Sequence, residues 1–213
     1  MKTDDLINAM VADNATQSPP IARTVWLAVA AGVGLGALVF ASLLEVRSDF
    51  LFAVSHEARF IFKFVFTLAL GVPALLLVRR FSRPDGTAGA LRYVLLIPVL
   101  LLAAAVAVEL NVLPPDHWSV SAIGSMPAAC MKYIPILSAA PLIAILFALR
   151  NGAPSNPAAA GAAAGLLAGA IGATLYASFC VDDSPLFLAI WYVIGMGIVT
   201  AAGALAGARM LKW

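Results

Sequence analysis

At 213 residues, 62% hydrophobic and only 11% charged, the chain cannot cover a water-facing surface, because soluble domains carry about 25% charged residues. This composition specifies an integral membrane protein, with room for several spans of about 20 residues and none for a separate soluble domain. A net charge of +2 is too small for a nucleic-acid binder, so the placement of the charges carries the information.

The chain opens with "MKTDDLINAMVADNATQSPP". Leu6, Ile7, Met10 and Val11 recur at helical spacing, Thr3 can N-cap, and Asp4 and Asp5 suit a first turn. The spacing predicts a short amphipathic helix over part of residues 1–21, ended by Pro19 and Pro20. So short a helix is marginal alone and gains stability in a partner's groove. A helix lying on the bilayer would normally display Lys and Arg, whereas this one is acidic; a disordered or self-packed tail is the remaining reading. The tail lacks a basic n-region, so the first apolar run is expected to stay in place as an anchor.

Six apolar segments follow in residues 22–213: 22–44, 58–78, 92–110, 128–149, 158–179 and 186–208. Backbone amides in lipid must bond internally, so each segment reads as a helix and the fold class as an all-α polytopic bundle of six transmembrane helices. Pro127, Pro135 and Pro141 interrupt the fourth, where kinks and any moving element are expected. Six spans place both termini on one side. That side holds Lys2, Arg23, Arg79, Arg80, Arg83, Arg92, Arg150, Arg209 and Lys212, nine cations against Arg47, Arg59, Lys63 and Lys132 on the other. Lys and Arg are retained in the cytoplasm, so both termini are expected there.

Small residues at four-residue spacing (Gly32 and Gly36; Gly161, Gly165 and Gly169; Gly203 and Gly207) let helix backbones approach closely, within one bundle or in a homodimer. Trp118 and Trp191 near one boundary and Trp26 and Trp213 near the other read as interfacial anchors.

The reactive side chains gather on the outer face. Cys130 and Cys180 fall at the outer ends of the fourth and fifth spans, and His56 and His117 in outer loops. "FCVDDSPLF" is then an external turn, facing a compartment where disulfides can persist. The two thiols read either as a functional pair or as small apolar filler. A helix N-terminus and nearby Lys132 favour thiolate at Cys130, while Asp182 and Asp183 disfavour it at Cys180, so Cys130 is expected to react first and Cys180 to resolve. A soft metal on Cys130 and Cys180 is a further reading, although the histidine spacings match no zinc signature. Asp182 and Asp183 read either as a solvated turn or as partners, with Glu57 and Glu109, of Arg59, Lys63 or Lys132, because ionisable groups at membrane depth seek counter-charges. His56 lies beside this candidate network.

Taken in order, "MKTDDLI", six spans, a cysteine at the outer edge of the fourth and "CVDDSPLFLAIWY" resemble the NrsF-type anti-sigma factors, over nearly the whole chain. The resemblance implies a bacterial inner-membrane protein that holds an extracytoplasmic-function (ECF) sigma factor inactive. It implies that the tail around Asp4, Asp5, Leu6 and Ile7, extended by Met10 on the same stripe, contacts that sigma factor. It also implies that Cys130 and Cys180 serve in signal response. The reading is a non-enzymatic stress sensor without a cofactor, whose partners are a cytoplasmic sigma factor and the bilayer rather than DNA. The rivals are a membrane thiol-disulfide oxidoreductase, which would need a second redox pair or a quinone pocket, and a transporter, which would need polar midplane residues.

Overall fold

The computed structural model describes Thr3, residues 21–83 and residues 86–212. The tail residues Asp4, Asp5, Leu6, Ile7 and Met10, and the helix expected there, lie outside the described residues. Among the described residues, six helices are long and apolar enough to cross a membrane: Ile21–Leu43, Ala58–Phe81, Leu91–Val112, Pro115–Arg150, Pro157–Ala177 and Pro185–Met210. All six segments read from hydropathy are present. Numbered in chain order, the helices are α1 (Ile21–Leu43), α2 (Phe50–His56), α3 (Ala58–Phe81), α4 (Leu91–Val94), α5 (Leu96–Val112), α6 (Trp118–Ile123), α7 (Pro127–Arg150), α8 (Pro157–Ala177), α9 (Pro185–Phe187) and α10 (Val193–Met210). The short helices α2 and α6 cover one end of the bundle, and a π-helical turn, Leu188–Tyr192, joins α9 to α10.

Lipid offers helices no hydrophobic drive to associate, so close van der Waals packing must hold the bundle together. The sequence supplies it through α8, which is nearly all Ala, Gly and Leu and lies at the centre against α3, α7 and α10. A methyl group on Gly161 would sit 2.2 Å from the Gly203 carbonyl oxygen, and one on Gly165 would sit 2.5 Å from that of Val199. Gly32 and Gly36 give α1 the same closeness to α7, where a methyl on Gly32 would come 2.7 Å from Pro141 Cα. The small-residue stripes are thus used inside one bundle. A polar bond adds to the packing: Thr174 donates to Thr67 Oγ1 across α8 and α3 at 2.9 Å.

The fourth span is a single helix, as its hydropathy implied. Pro127 is at the first turn, where its missing N–H costs nothing, and α7 runs unbroken through Pro135 and Pro141. Proline withdraws the hydrogen bond to the carbonyl four residues earlier. The carbonyl oxygen of Leu137, released by Pro141, faces Gly36 of α1, 3.2 Å from where a methyl there would sit. α1 thus packs closely against the stretch of α7 where proline interrupts the ladder.

Contacts at each end sort the loops. Gly152 meets Ser82 and Gly207 meets Pro157 at one end. Ser125 meets Asp182, and Lys63 meets Cys180, at the other. Arg79, Arg80, Arg83 and Arg150 share the first end, while both cysteines share the second with Arg47, Arg59 and Lys63.

Candidate functional site

Helix α8 ends at Ala177, and Cys180 to Ser184 then cross the top of the bundle before Pro185 starts α9. Each polar residue in this crossing has a task. Lys63, fully buried on α3, donates from Nζ to the Cys180 carbonyl at 2.8 Å and to the Asp182 carbonyl at 3.3 Å, and pairs with the Asp183 carboxylate. A buried ammonium needs this many acceptors to offset the loss of its hydration. The Asp183 carboxylate also takes Arg47 Nη1 at 2.9 Å. Arg47 in turn grips Asp49 with two bonds of 2.6 Å, lies 3.9 Å from Glu57, and covers the Phe60 ring at 5.1 Å. Those hydrogen bonds hold the Asp49 carboxyl below its usual range and keep the Arg47 guanidinium charged.

Asp182 turns the opposite way. Its carboxylate accepts from the Ser125 backbone N–H at 3.0 Å, from the Ser125 hydroxyl at 2.9 Å and from the Met126 N–H at 3.4 Å. It thereby serves the open N–H groups and positive dipole end of α7. Gly124 makes room for it: its φ is +65°, and a side chain there would collide with the Phe187 ring. Ser184 accepts from Leu186 N–H to start α9 and donates to Glu109 Oε1 at 3.1 Å; Glu109, buried on α5, also lies 3.5 Å from Arg59 Nη2.

The sulfur atoms sit beneath this polar lid. Cys130, on the first turns of α7, and Cys180 are buried and unbridged. The two cysteines share one buried cluster, and the Cys180 thiol donates to the Asp182 carbonyl at 3.7 Å. Tyr176 and Tyr192 pack in the same cluster, their rings 5.8 Å apart, and their buried hydroxyls have no hydrogen-bond partner among the described residues. The π-helical turn contributes Tyr192 to this cluster. Interaction with Cys130 lowers the pKa of the Cys180 thiol, against the opposing effect of burial and with help from the Lys63 charge.

The family described as "Negative regulator of sigma F" (NrsF) matches residues 11–213. The chain belongs to the NrsF family. The probable anti-sigma-F factor NrsF of Azospira oryzae is 35% identical over the whole of both chains, and the anti-sigma-F factor NrsF of Caulobacter vibrioides is 33% identical over the whole of both. No solved structure is significantly similar. Membership of the NrsF family fits the regulatory, non-enzymatic reading, and the oxidoreductase and transporter alternatives give way to it.

Within this NrsF chain, the structure brings together Cys130, Cys180, Asp182, Asp183 and Lys63, and joins Arg59 to them through Glu109 and Ser184. Two expected members stand apart. Lys132 is exposed and lies over the Tyr133 ring at 5.2 Å, because its helical position turns it away from the crossing. His56 stacks on Phe52 at 4.5 Å and bonds the Phe52 carbonyl, satisfied within its own helix. The cation nearest the thiols also differs from the one expected. Lys132 does not face Cys130, whereas Lys63 reaches the Cys180 turn and Asp182 spends its charge on α7. Arg47 is the member the sequence reading missed; its only local signal was a cation between Glu45 and Asp49. Among the described residues no cluster of three or more His, Cys, Asp or Glu could hold a metal ion.

Proposed function

We propose that this chain is an inner-membrane anti-sigma factor that holds an ECF sigma factor through its cytoplasmic tail and releases it when an external oxidant or thiol-reactive metal modifies Cys130 and Cys180. The observation that carries the reading is the Lys63 ammonium, which ties the Cys180 turn to α3 beside an adjacent pair of thiols. The names of the two full-length relatives support the sigma-factor partner. The nine-to-four distribution of Lys and Arg supports a cytoplasmic arginine-rich end and an external cysteine end. The acidic stripe with Asp4, Asp5, Leu6, Ile7 and Met10 is the sigma-binding element.

With a peroxide as the oxidant, the Cys180 thiolate attacks one oxygen and becomes a sulfenic acid, and hydroxide leaves. The Cys130 thiol then displaces the hydroxyl of the sulfenic acid, forming the disulfide and releasing water. Two electrons pass from sulfur to peroxide. The new bond pulls the first turn of α7 toward the crossing and disturbs both the Asp182 cap and the Lys63 contacts. A tenfold loss of sigma affinity needs about 1.4 kcal/mol of coupling, within the usual allosteric range.

The test is co-purification of the sigma factor with the full-length protein before and after peroxide. The wild type is expected to lose about tenfold in sigma retention, and C130S and C180S to keep theirs. Equal release from the double serine variant would end the sensor reading, and failure of the wild type to retain any sigma factor would end the whole proposal.

A further inference from the structure

The opposite end of α3 carries a feature the sulfur site does not use. Helix α3 has 24 residues and is about 36 Å long, against a hydrocarbon core of ~30 Å, so its last turn reaches the head-group region. That turn bears Arg79 and Arg80, and Arg83 follows it. The chain then folds back on itself. Arg83 N–H bonds the Arg80 carbonyl at 3.2 Å and Gly86 N–H bonds the Arg83 carbonyl at 3.1 Å.

Two glycines permit this return. A methyl at Gly86 would lie 1.9 Å from the Arg80 carbonyl oxygen, and Gly89, at φ +48°, leaves the room that the Arg80 guanidinium occupies. Arg80 Nη1 donates to the Ala88 carbonyl at 3.3 Å, so this cation is held in place. The result is a cleft of about 550 Å³ lined by Arg79, Arg80, Arg83, Thr87, Leu76 and Leu91. None of its three arginines forms an ion pair with another described residue.

Retention of Lys and Arg in the cytoplasm needs charge near this end but no cleft. Here three arginines, a threonine and two leucines line one concavity. Guanidinium forks match phosphate oxygens in pairs, and leucines suit the first methylenes of an acyl chain. We propose that this cleft is a binding site for the phosphate head group of an anionic phospholipid. A bound lipid places a phosphate among the arginines at this helix end. It also fixes the arginine-rich end of the helix whose other end carries Lys63. The site stands whether or not the sulfur pair senses oxidants.

The test uses the full-length protein, delipidated in a neutral detergent and analysed by native mass spectrometry and thermal unfolding. Phosphatidylglycerol and cardiolipin are titrated against phosphatidylcholine, with inorganic phosphate and glycerol 3-phosphate as head-group probes without acyl chains. The anionic lipids are expected to be retained and to raise the unfolding temperature. R79Q/R80Q/R83Q is expected to bind them about tenfold or more weakly. R23Q/R92Q/R150Q removes the same charge from the same end, outside the cleft, and is expected to keep binding; circular dichroism checks that both variants fold. An equal loss from both variants would assign the effect to diffuse charge and overturn the proposal. So would equal stabilisation by free phosphate and by lipid, which would make this a soluble-anion site. A cleft variant that keeps its lipids but loses the sigma factor would make the cleft a protein-docking surface and overturn it as well.

Discussion

Lys63 is surrounded by protein and faces two carbonyl oxygens and a carboxylate, and Asp183 stands between it and Arg47. Removing either partner of a buried pair leaves the other uncompensated, but the two choices differ here. Lys63→Met leaves Asp183 with Arg47, whereas Asp183→Asn leaves the fully buried Lys63 with carbonyl oxygens and no counter-charge, while Arg47 keeps Asp49. Asp183→Asn is therefore expected to be the more destabilising, by on the order of 3 kcal/mol, in thermal unfolding of the detergent-solubilised protein. Cys180 gives a pH prediction. Its lowered pKa means that the thiolate persists to lower pH than that of an ordinary thiol. Iodoacetamide labelling of Cys180 should therefore set in at lower pH than for an ordinary thiol, and its midpoint should move upward in Cys130→Ala, which removes the neighbouring thiol, and in Lys63→Met, which removes the charge. An unmoved midpoint in both variants would contradict the geometry.

The helices answer to spacing more than to chemistry. Gly161, Gly165, Gly203 and Gly207 lie where α8 and α10 touch backbone to backbone, whereas Gly34 and Gly197 face open space. Gly165→Ala forces the backbones apart and is expected to cost about 1–3 kcal/mol. Gly34→Ala meets nothing and should be neutral or stabilising by about 0.5–1 kcal/mol, from helix propensity alone. Parallel unfolding curves decide between them, and equal effects would mean that the stripes are not the contact. The hydropathy of each span was legible because backbone hydrogen bonding in lipid leaves few choices. The close fit of Gly32 against Pro141 of α7 was not, because it depends on how two helices pack. The π-helical turn at Leu188–Tyr192 was not legible either; it inserts one residue into a hydrogen-bond ladder and leaves no mark on composition.

At the scale of the molecule, one end concentrates arginines and the other concentrates thiols and buried ion pairs, with α3 running between Lys63 and the Arg79–Arg83 cleft. In a Cys130→Ser/Cys180→Ser background, a cysteine at exposed Val181 should label with a membrane-impermeant maleimide on intact cells, and one at Ala88 only after permeabilisation. The reverse pattern would remove both the external sensor and the cytoplasmic tail from the proposal.

The sequence by itself determined the number of spans, the end at which the charges of each sign collect, and the meeting of both cysteines at one depth. These follow from run length and from local order along the chain. Only the tertiary structure decided which charges pair, that Arg47 belongs to the site while Lys132 and His56 do not, and which thiol has the cation at its side. Those outcomes rest on contacts such as Arg47 to Asp183, 136 residues apart. Their distance is set by how whole helices pack, and no local pattern in the chain records it.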